Sequence, residues 1–245
     1  MGRQAAAPES RKLSAGETAE DARTHILDAA EALFENEGYR AASVRAITAK
    51  AGVNLAAINY YFGNKEALLE AVCQRRLGPL NEARLRKLKE IRAGARRVGR
   101  KVELQPVLRA FMAPALLLKE SGGSAAGFPA LFGRALADPD DTVQRIIFKM
   151  MKPVHQLMLE MMGEALPGVS REEVFWRYQF VIGAMARATR VYKNPRFRGA
   201  GLEDPGPEGG VNTLIDRLVS FTLAGAQAAP GMNIKCKKNS APESI

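Results

Sequence analysis

Apolar side chains recur along this chain every three or four residues, the spacing that lines one face of an α-helix. The first such stripe is Ile26, Ala29, Ala30, Leu33 and Phe34. It predicts a helix from about Ala22 to Glu37, ended by Gly38, with Tyr39 placed for the apolar contact that often accompanies such an ending. A second stripe, Val44, Ile47 and Ala51, follows Ser43, whose hydroxyl can accept from the open N–H groups of a helix start. Gly52 stops this helix, because a residue without Cβ takes the left-handed conformation cheaply. Val53 plugs the turn, and Asn54 caps a short helix from Leu55 to Tyr61. Two short helices around a tight, glycine-containing turn are a helix-turn-helix. A second helix of this length fits a DNA major groove, and the small Ala56 and Ala57 allow it close to another surface.

Further on, Asn64 caps a helix that begins at Lys65 and carries Ala67, Leu68, Ala71, Val72 and Leu77. Gly78-Pro79 is expected to break or kink it, since proline removes a backbone donor and collides with the preceding turn. A hinge would follow. From Arg84 to Lys101 basic residues dominate; the run reads as a solvated helix face, with added phosphate contacts as the alternative, and Gly94 and Gly99 predict that it frays. Further helices are expected over Glu103 to Lys119 (kinked or ended by Pro114), Phe128 to Leu136, Thr142 to Leu166, Ser170 to about Tyr192, and Val211 to Ala228. Ser170 and Glu173 have the spacing of a capping box. Ser121 to Gly127 reads as a flexible connection, Asp138 to Asp141 as a turn and helix start, and Asn194 to Gly210 as loop.

Composition narrows the function classes. The 245 residues carry 36 Lys plus Arg against 26 Asp plus Glu, a net charge of +10. Such an excess favours a polyanionic partner, nucleic acid above all. Two cysteines, Cys73 and Cys236, are too few for a disulfide framework and fit a reducing cytoplasm. No apolar run approaches the ~18 residues that would cross a bilayer. Residues 1–20 and 230–245 are polar, small and charged and read as disordered tails. Two histidines far apart, no glycine-rich phosphate loop and no Cys/His metal spacing leave an enzyme, a metal site or a cofactor without support.

Ile47-Thr48-x-x-Ala51-Gly52-Val53-Asn54, followed by Ala57-Ile58-Asn59-Tyr60-Tyr61-Phe62-Gly63-Asn64-Lys65-Glu66-Ala67-Leu68-Leu69, resembles the N-terminal domain of the TetR family of bacterial transcriptional regulators. Thr48 stands where that family commonly has Ala, and Asn59 where Tyr is frequent. The resemblance implies an all-α architecture: a three-helix helix-turn-helix domain over residues 21–63, and a larger helical effector-binding and dimerisation domain over 64–229. It implies a homodimer on a palindromic double-stranded DNA operator, the last two helices pairing with those of a second subunit as a four-helix bundle. It further implies release by a small-molecule effector. A constitutive DNA-binding protein without an effector is the alternative reading.

Roles follow by position. Ser43, Tyr60, Tyr61 and Lys65 are expected on phosphates, which fix register without reading sequence. Arg45, by the resemblance, reaches a guanine. Asn54, Leu55, Ala57 and Asn59 are the base-facing candidates; an amide can read adenine, and Leu55 or Ala57 can meet a thymine methyl. For the effector, Met112, Phe148, Met151, His155, Met158, Trp176, Tyr178 and Phe180 are the candidate lining, largely apolar and therefore suited to a hydrophobic ligand. Five of the nine methionines lie between Met150 and Met162; such flexible side chains suit an irregular core as well as an adaptable pocket.

Overall fold

The computed structural model describes residues 18–118, 120, 141–192 and 209–229. These form eight helices and no strand: α1 (Ala19–Glu37), α2 (Val44–Ala51), α3 (Ala56–Phe62), α4 (Lys65–Arg97), α5 (Leu104–Leu118), α6 (Asp141–Ala165), α7 (Arg171–Val191) and α8 (Gly210–Gln227). Residues 1–17 and 230–245 of the expected tails, the Ser121 to Gly127 connection, the Phe128 to Leu136 helix, the Asp138 to Asp140 turn and most of the Asn194 to Gly210 loop lie outside the described residues, while Thr18 to Glu20, expected in the tail, cap and begin α1.

Local chemistry sets the helix starts. At α1 the Thr18 hydroxyl accepts from the Asp21 backbone N–H while the Asp21 carboxylate accepts from the Thr18 backbone N–H. This reciprocal cap starts the helix three residues earlier than its apolar stripe indicates. Ser43 accepts from the Ala46 N–H at 3.0 Å, Asn64 from Ala67 at 2.8 Å and Ser170 from Glu173 at 3.2 Å. Gly52 ends α2 at φ 71°, ψ 23°, the left-handed conformation its position requires. Thr48, buried in the crossing of α2 with its neighbours, keeps its hydroxyl satisfied by the Val44 and Arg45 carbonyls of its own helix, each 3.1 Å away. The hydroxyl therefore costs little at a position where Ala is commoner.

Helix α4 positions everything else. Its 33 residues span about 50 Å at 1.5 Å per residue. The expected break at Gly78-Pro79 does not occur: the helix runs through both residues. Pro79 withholds the N–H that would otherwise bond the Arg75 carbonyl. Packing on either side holds the helix across that gap, as tertiary burial commonly outweighs local propensity. Before the proline, Leu68, Leu69, Val72 and Cys73 are fully buried in the core shared with α1; after it, Leu88 is buried in the body formed with α5 and α6. Pro79 itself faces outward. Fraying at Gly94 is likewise absent, since α4 continues to Arg97 and the chain turns at Gly99 with φ 62°. Pro114 lies inside α5 without ending it.

The run read as a solvated basic face is more closely tied down than that. Arg92 bonds Glu160 at 2.9 Å and also Glu164, both on α6, and Arg84 is buried. Nearer the start of α4, Glu66 pairs with Arg145 and Glu70 with Lys149, each at 2.8 Å, so α6 also reaches the half of α4 that carries the helix-turn-helix. On the opposite side the fully buried Glu31 of α1 receives Arg75 and Arg76 of α4, with Asp28 bonding Arg75 at 2.7 Å. Cys73 sits in this core, and burial pushes its thiol up to about 12, leaving it unreactive.

Beside Glu31, Glu35 has a buried Oε1 with no hydrogen-bond partner. Burial, and then the Glu31 charge, push its carboxyl up to about 7, Arg76 opposing. The folded state thus holds a proton that the unfolded chain releases near pH 4.5, and stability falls as pH rises from there through about 7. Glu35→Gln should raise the chemical-denaturation midpoint at pH 8 and leave it unchanged at pH 4. Denaturation curves across that range read this directly; an equal shift at both ends would remove Glu35 titration as the cause.

Candidate nucleic-acid interface and inner polar cluster

Helix α3 is attached to the body by one side. Ile58 is its only buried residue, Ala57, Tyr61 and Phe62 are half-buried, and the rest of the helix faces outward. Its start is fixed by Asn54, whose side-chain oxygen accepts from the Ala57 N–H at 2.9 Å. Leu55, the residue between cap and helix, already has right-handed helical angles, so α3 begins where the sequence places it. Tyr60 is 82% exposed and Leu55 51% exposed, and Asn54 and Asn59 are exposed beside them. Leu55 and Tyr60 are thus held outward and kept out of the core. Tyr60 and Tyr61 meet edge to face with centroids 4.9 Å apart, which orders both rings.

The supporting helix contributes Ser43 and Arg45, both exposed and on its first turn. Lys65 is placed differently from a free cation. Its ammonium donates to the Tyr39 carbonyl at 2.6 Å and approaches the Arg40 carbonyl at 3.4 Å, and it lies 4.5 Å from the centroid of the Tyr39 ring. It joins the first residue of α4 to the loop that precedes α2. The structure therefore gathers Ser43, Arg45, Asn54, Leu55, Ala57, Asn59, Tyr60 and Tyr61 around α2 and α3, with Lys65 anchored at the edge.

The effector candidates divide into two sets. Met112, Met151, Met158 and Tyr178 are buried and His155 is half-buried, all within the body formed by α4 to α8. Phe148, Trp176 and Phe180 instead point outward, at 53%, 50% and 69% exposure. On α7, Trp176 and Phe180 stack with centroids 6.4 Å apart and Phe175 meets Trp176 edge to face; Phe221 on α8 is also strongly exposed. Phe148, Trp176 and Phe180 are therefore exposed aromatics and not part of an interior lining. On α7 the inner residues recur as Val174, Tyr178, Val181 and Met185, and the outer aromatics fall on the opposite side of the same helix.

Inside the body lies a polar cluster the sequence reading missed in part. Arg84, 3% exposed, donates through Nε to the Phe111 carbonyl at 2.9 Å and through Nη1 to the Asn81 side-chain oxygen at 3.3 Å. Its guanidinium carbon stands 4.9 Å from the centroid of the Phe111 ring. The Asn81 amide donates in turn to the Met150 carbonyl at 3.1 Å. Across from it, His155 Nδ1 and the Tyr178 hydroxyl are 2.6 Å apart, and the Phe111 and Tyr178 rings are 5.5 Å apart. A signal for Arg84 was present: Leu77, Asn81, Arg84 and Leu88 stand at i, i+4, i+7 and i+11, the spacing of a single helix face.

Burial, then the Arg84 charge, pull His155 down to about 4, so the imidazole is neutral at physiological pH. Burial likewise pushes the Tyr178 hydroxyl above its ordinary range. An unfolded histidine takes up a proton near 6.5 while the folded one resists until about 4, so stability is lost as pH falls through that window. His155→Gln should lessen this acid sensitivity, its denaturation midpoint converging on or passing that of the parent protein between pH 6.5 and pH 4. Paired denaturation series at pH 7.5 and pH 5 check it, and parallel losses in both proteins would exclude His155.

Among the described residues no group of His, Cys, Asp and Glu could hold a metal ion, and no helix is long and apolar enough to cross a membrane. Residues 26–72 match the model of the bacterial regulatory proteins of the tetR family, and residues 109–225 match that of the tetracycline repressor-like C-terminal domain. No curated protein sequence matches the chain significantly. Solved structures share the fold at low identity. FadR from Bacillus subtilis in complex with stearoyl-CoA is 17% identical, with 82% of this chain and 98% of that one covered and a TM-score of 0.60. AibR in complex with isovaleryl coenzyme A and operator DNA is 19% identical, with 82% and 97% covered and a TM-score of 0.56. The superantigen PfiT is 20% identical, with 84% and 97% covered and a TM-score of 0.54. With both family models matched in chain order, on a helix-turn-helix whose α3 keeps its outer face exposed and a helical body joined to it through α4, the chain belongs to the TetR family of transcriptional regulators.

Proposed function

We propose that this regulator is a repressor that binds a palindromic operator as a homodimer and is released by a small, largely apolar effector held in the helical body. The observation that carries this reading is the outward presentation of α3, with Tyr60 and Leu55 exposed on one side while Ile58, helped by Ala57, Tyr61 and Phe62, holds the other side against the core. In this reading residues 21–63 form the DNA-binding unit and residues 64–229 the effector and dimerisation unit. Asn54, Leu55, Ala57 and Asn59 face base edges, and Arg45 reaches a guanine. Ser43, Tyr60 and Tyr61 rest on phosphates, and Lys65 brings its charge to the same backbone from its seat on the Tyr39 carbonyl.

One such module buries too little surface for tight binding, and two of them on half-sites about 34 Å apart remedy this. The outer face of α7 and α8 supports the pairing. Trp176 and Phe180 on α7 and Phe221 on α8 are large and exposed on two helices that pack together, and the exposed Gly183, Ala224 and Gly225 on the same helices leave room for close approach. A patch of that kind on a monomer would be unusual, and a two-fold related copy of itself is the complementary surface. Release by an effector follows from linkage: a ligand that favours a conformer with mismatched recognition helices must weaken DNA binding by the same factor that DNA weakens the ligand. That FadR and AibR were each solved with a coenzyme A thioester supports a body of this shape accommodating an apolar acyl group.

Footprinting on the DNA flanking the protein's own gene, followed by selection from randomised duplexes, tests the core of this reading. A palindromic consensus is expected, and Asn59→Ala should flatten the preference at one or two positions per half-site while sparing the others. An unchanged consensus would take Asn59 out of the base-reading set. Phe180→Glu should turn a sedimenting dimer into a monomer and lower operator affinity by at least about tenfold, since half the contacts are lost. A Phe180→Glu protein that remains dimeric would move the subunit interface elsewhere.

A further inference from the structure

Two arginines are buried among the described residues, Arg84 and Arg177, and they are treated differently. Arg177 has a carboxylate: its Nε donates to Glu173 at 2.9 Å, and its Nη1 donates to the Ala226 carbonyl at 2.6 Å. Arg75 and Arg76 share the buried Glu31. Arg84 has no carboxylate among the described residues. Its partners are a backbone carbonyl, an amide oxygen and the Met151 sulfur at 3.8 Å, and Nη2 makes no hydrogen bond to any described residue. Burial draws the guanidinium only to about 10, so it stays protonated at neutral pH.

A buried cation left without an anion is costly, and native structures rarely keep one without a use. The groups around it do not supply negative charge. His155 is neutral and Tyr178 keeps its proton, and the other neighbours, Phe111 and Met151, are apolar. What Arg84 retains is Nη2, whose N–H groups can donate to a carboxylate oxygen in a charge-assisted hydrogen bond.

We propose that Arg84 is the anchor of the effector site, and that the effector is an amphipathic monocarboxylate. Its carboxylate accepts from Nη2 of Arg84 and its apolar body lies along Phe111, Met112 and Met151. A single charge is specified because a single cation is present; a phosphate dianion would leave surplus charge in a low-dielectric interior. His155, hydrogen-bonded to Tyr178 through Nδ1, has Nε2 without a described partner and offers a second polar contact near the same head group. Binding also reaches the DNA-reading half directly. Arg84 lies on α4, seven residues beyond Leu77, on the same helix that carries Glu66 and Glu70 to α6. This inference rests on the helical body being the effector site, and the experiment separates the two.

Thermal shift and calorimetric titration of the full-length protein, with straight-chain acids and matched primary alcohols of six to sixteen carbons, provide the test. At least one acid should bind about tenfold or more tightly than its alcohol, the margin expected of a charge-assisted hydrogen-bonded pair. Arg84→Met should bring acid and alcohol within about twofold, while Arg84→Lys retains part of the preference. Arg84→Gln, which keeps a donor towards the Phe111 carbonyl, gives the same reading if the Met variant does not fold. Acid and alcohol binding equally well to the parent protein, or a preference that survives Arg84→Met, overturns the anchor while leaving the helical body as an effector site. No binding by any member of either series, with operator DNA still bound, overturns both.

Discussion

A single uninterrupted helix is the constraint on which this architecture depends. Helix α4 supplies the fourth wall of the DNA-reading unit and the first wall of the helical body, so neither part can settle without fixing the other. Its two halves are held by different chemistry. Towards α1 the tie is ionic and buried, with Glu31 receiving two guanidinium groups. Towards α5 and α6 it runs through Asn81 and the charged Arg84, which bond backbone carbonyls, and through the pairing of Arg92 with Glu160 and Glu164. Buried polar groups of this sort add little net stability but strongly penalise alternative packings, because each wrong register strands a charge. The angle at which α3 is presented is therefore set by the same side chains that define the interior of the body.

Much of the fold was legible because helical periodicity and capping chemistry agree along most of the chain. Ser43, Asn64 and Ser170 cap the helices their positions announce, and Gly52 adopts the left-handed angles its place in the turn demands. Proline was the misleading sign. Pro79 and Pro114 read as breaks, yet both lie within helices because a single lost hydrogen bond is outweighed by the burial on either side. The exposure of Asn54, Leu55, Asn59 and Tyr60 was readable because a short helix with one apolar side leaves its other side outward. The interior was harder. An arginine in a basic run looks like every other arginine, and only the i, i+4, i+7 relation to Leu77, Asn81 and Leu88 marks Arg84 as inward. Trp176 and Phe180 erred the other way, since aromatic residues on a helix suggest an interior until the opposite face of α7 is seen to fill that role.

The resemblance to known structures bounds what fold alone can say. A superantigen and two acyl-coenzyme A complexes share this chain arrangement at comparable overlap. Function therefore has to be argued from particular groups on the scaffold. Here those groups are the polar and aromatic side chains carried outward by α2 and α3, and the buried guanidinium facing neutral neighbours within.

Pro79 has a further consequence for how such a chain is assembled. Cooperative helix growth is weakened at a missing rung, so each half of α4 must be secured by its own neighbours. Before it, Arg75 and Arg76 reach Glu31 of α1, while Glu66 and Glu70 form exposed pairs with α6. Exposed pairs of that kind contribute little. The proline thus falls where α4 passes from its contacts with α1 to those with α5 and α6, and one continuous core bridges the missing rung.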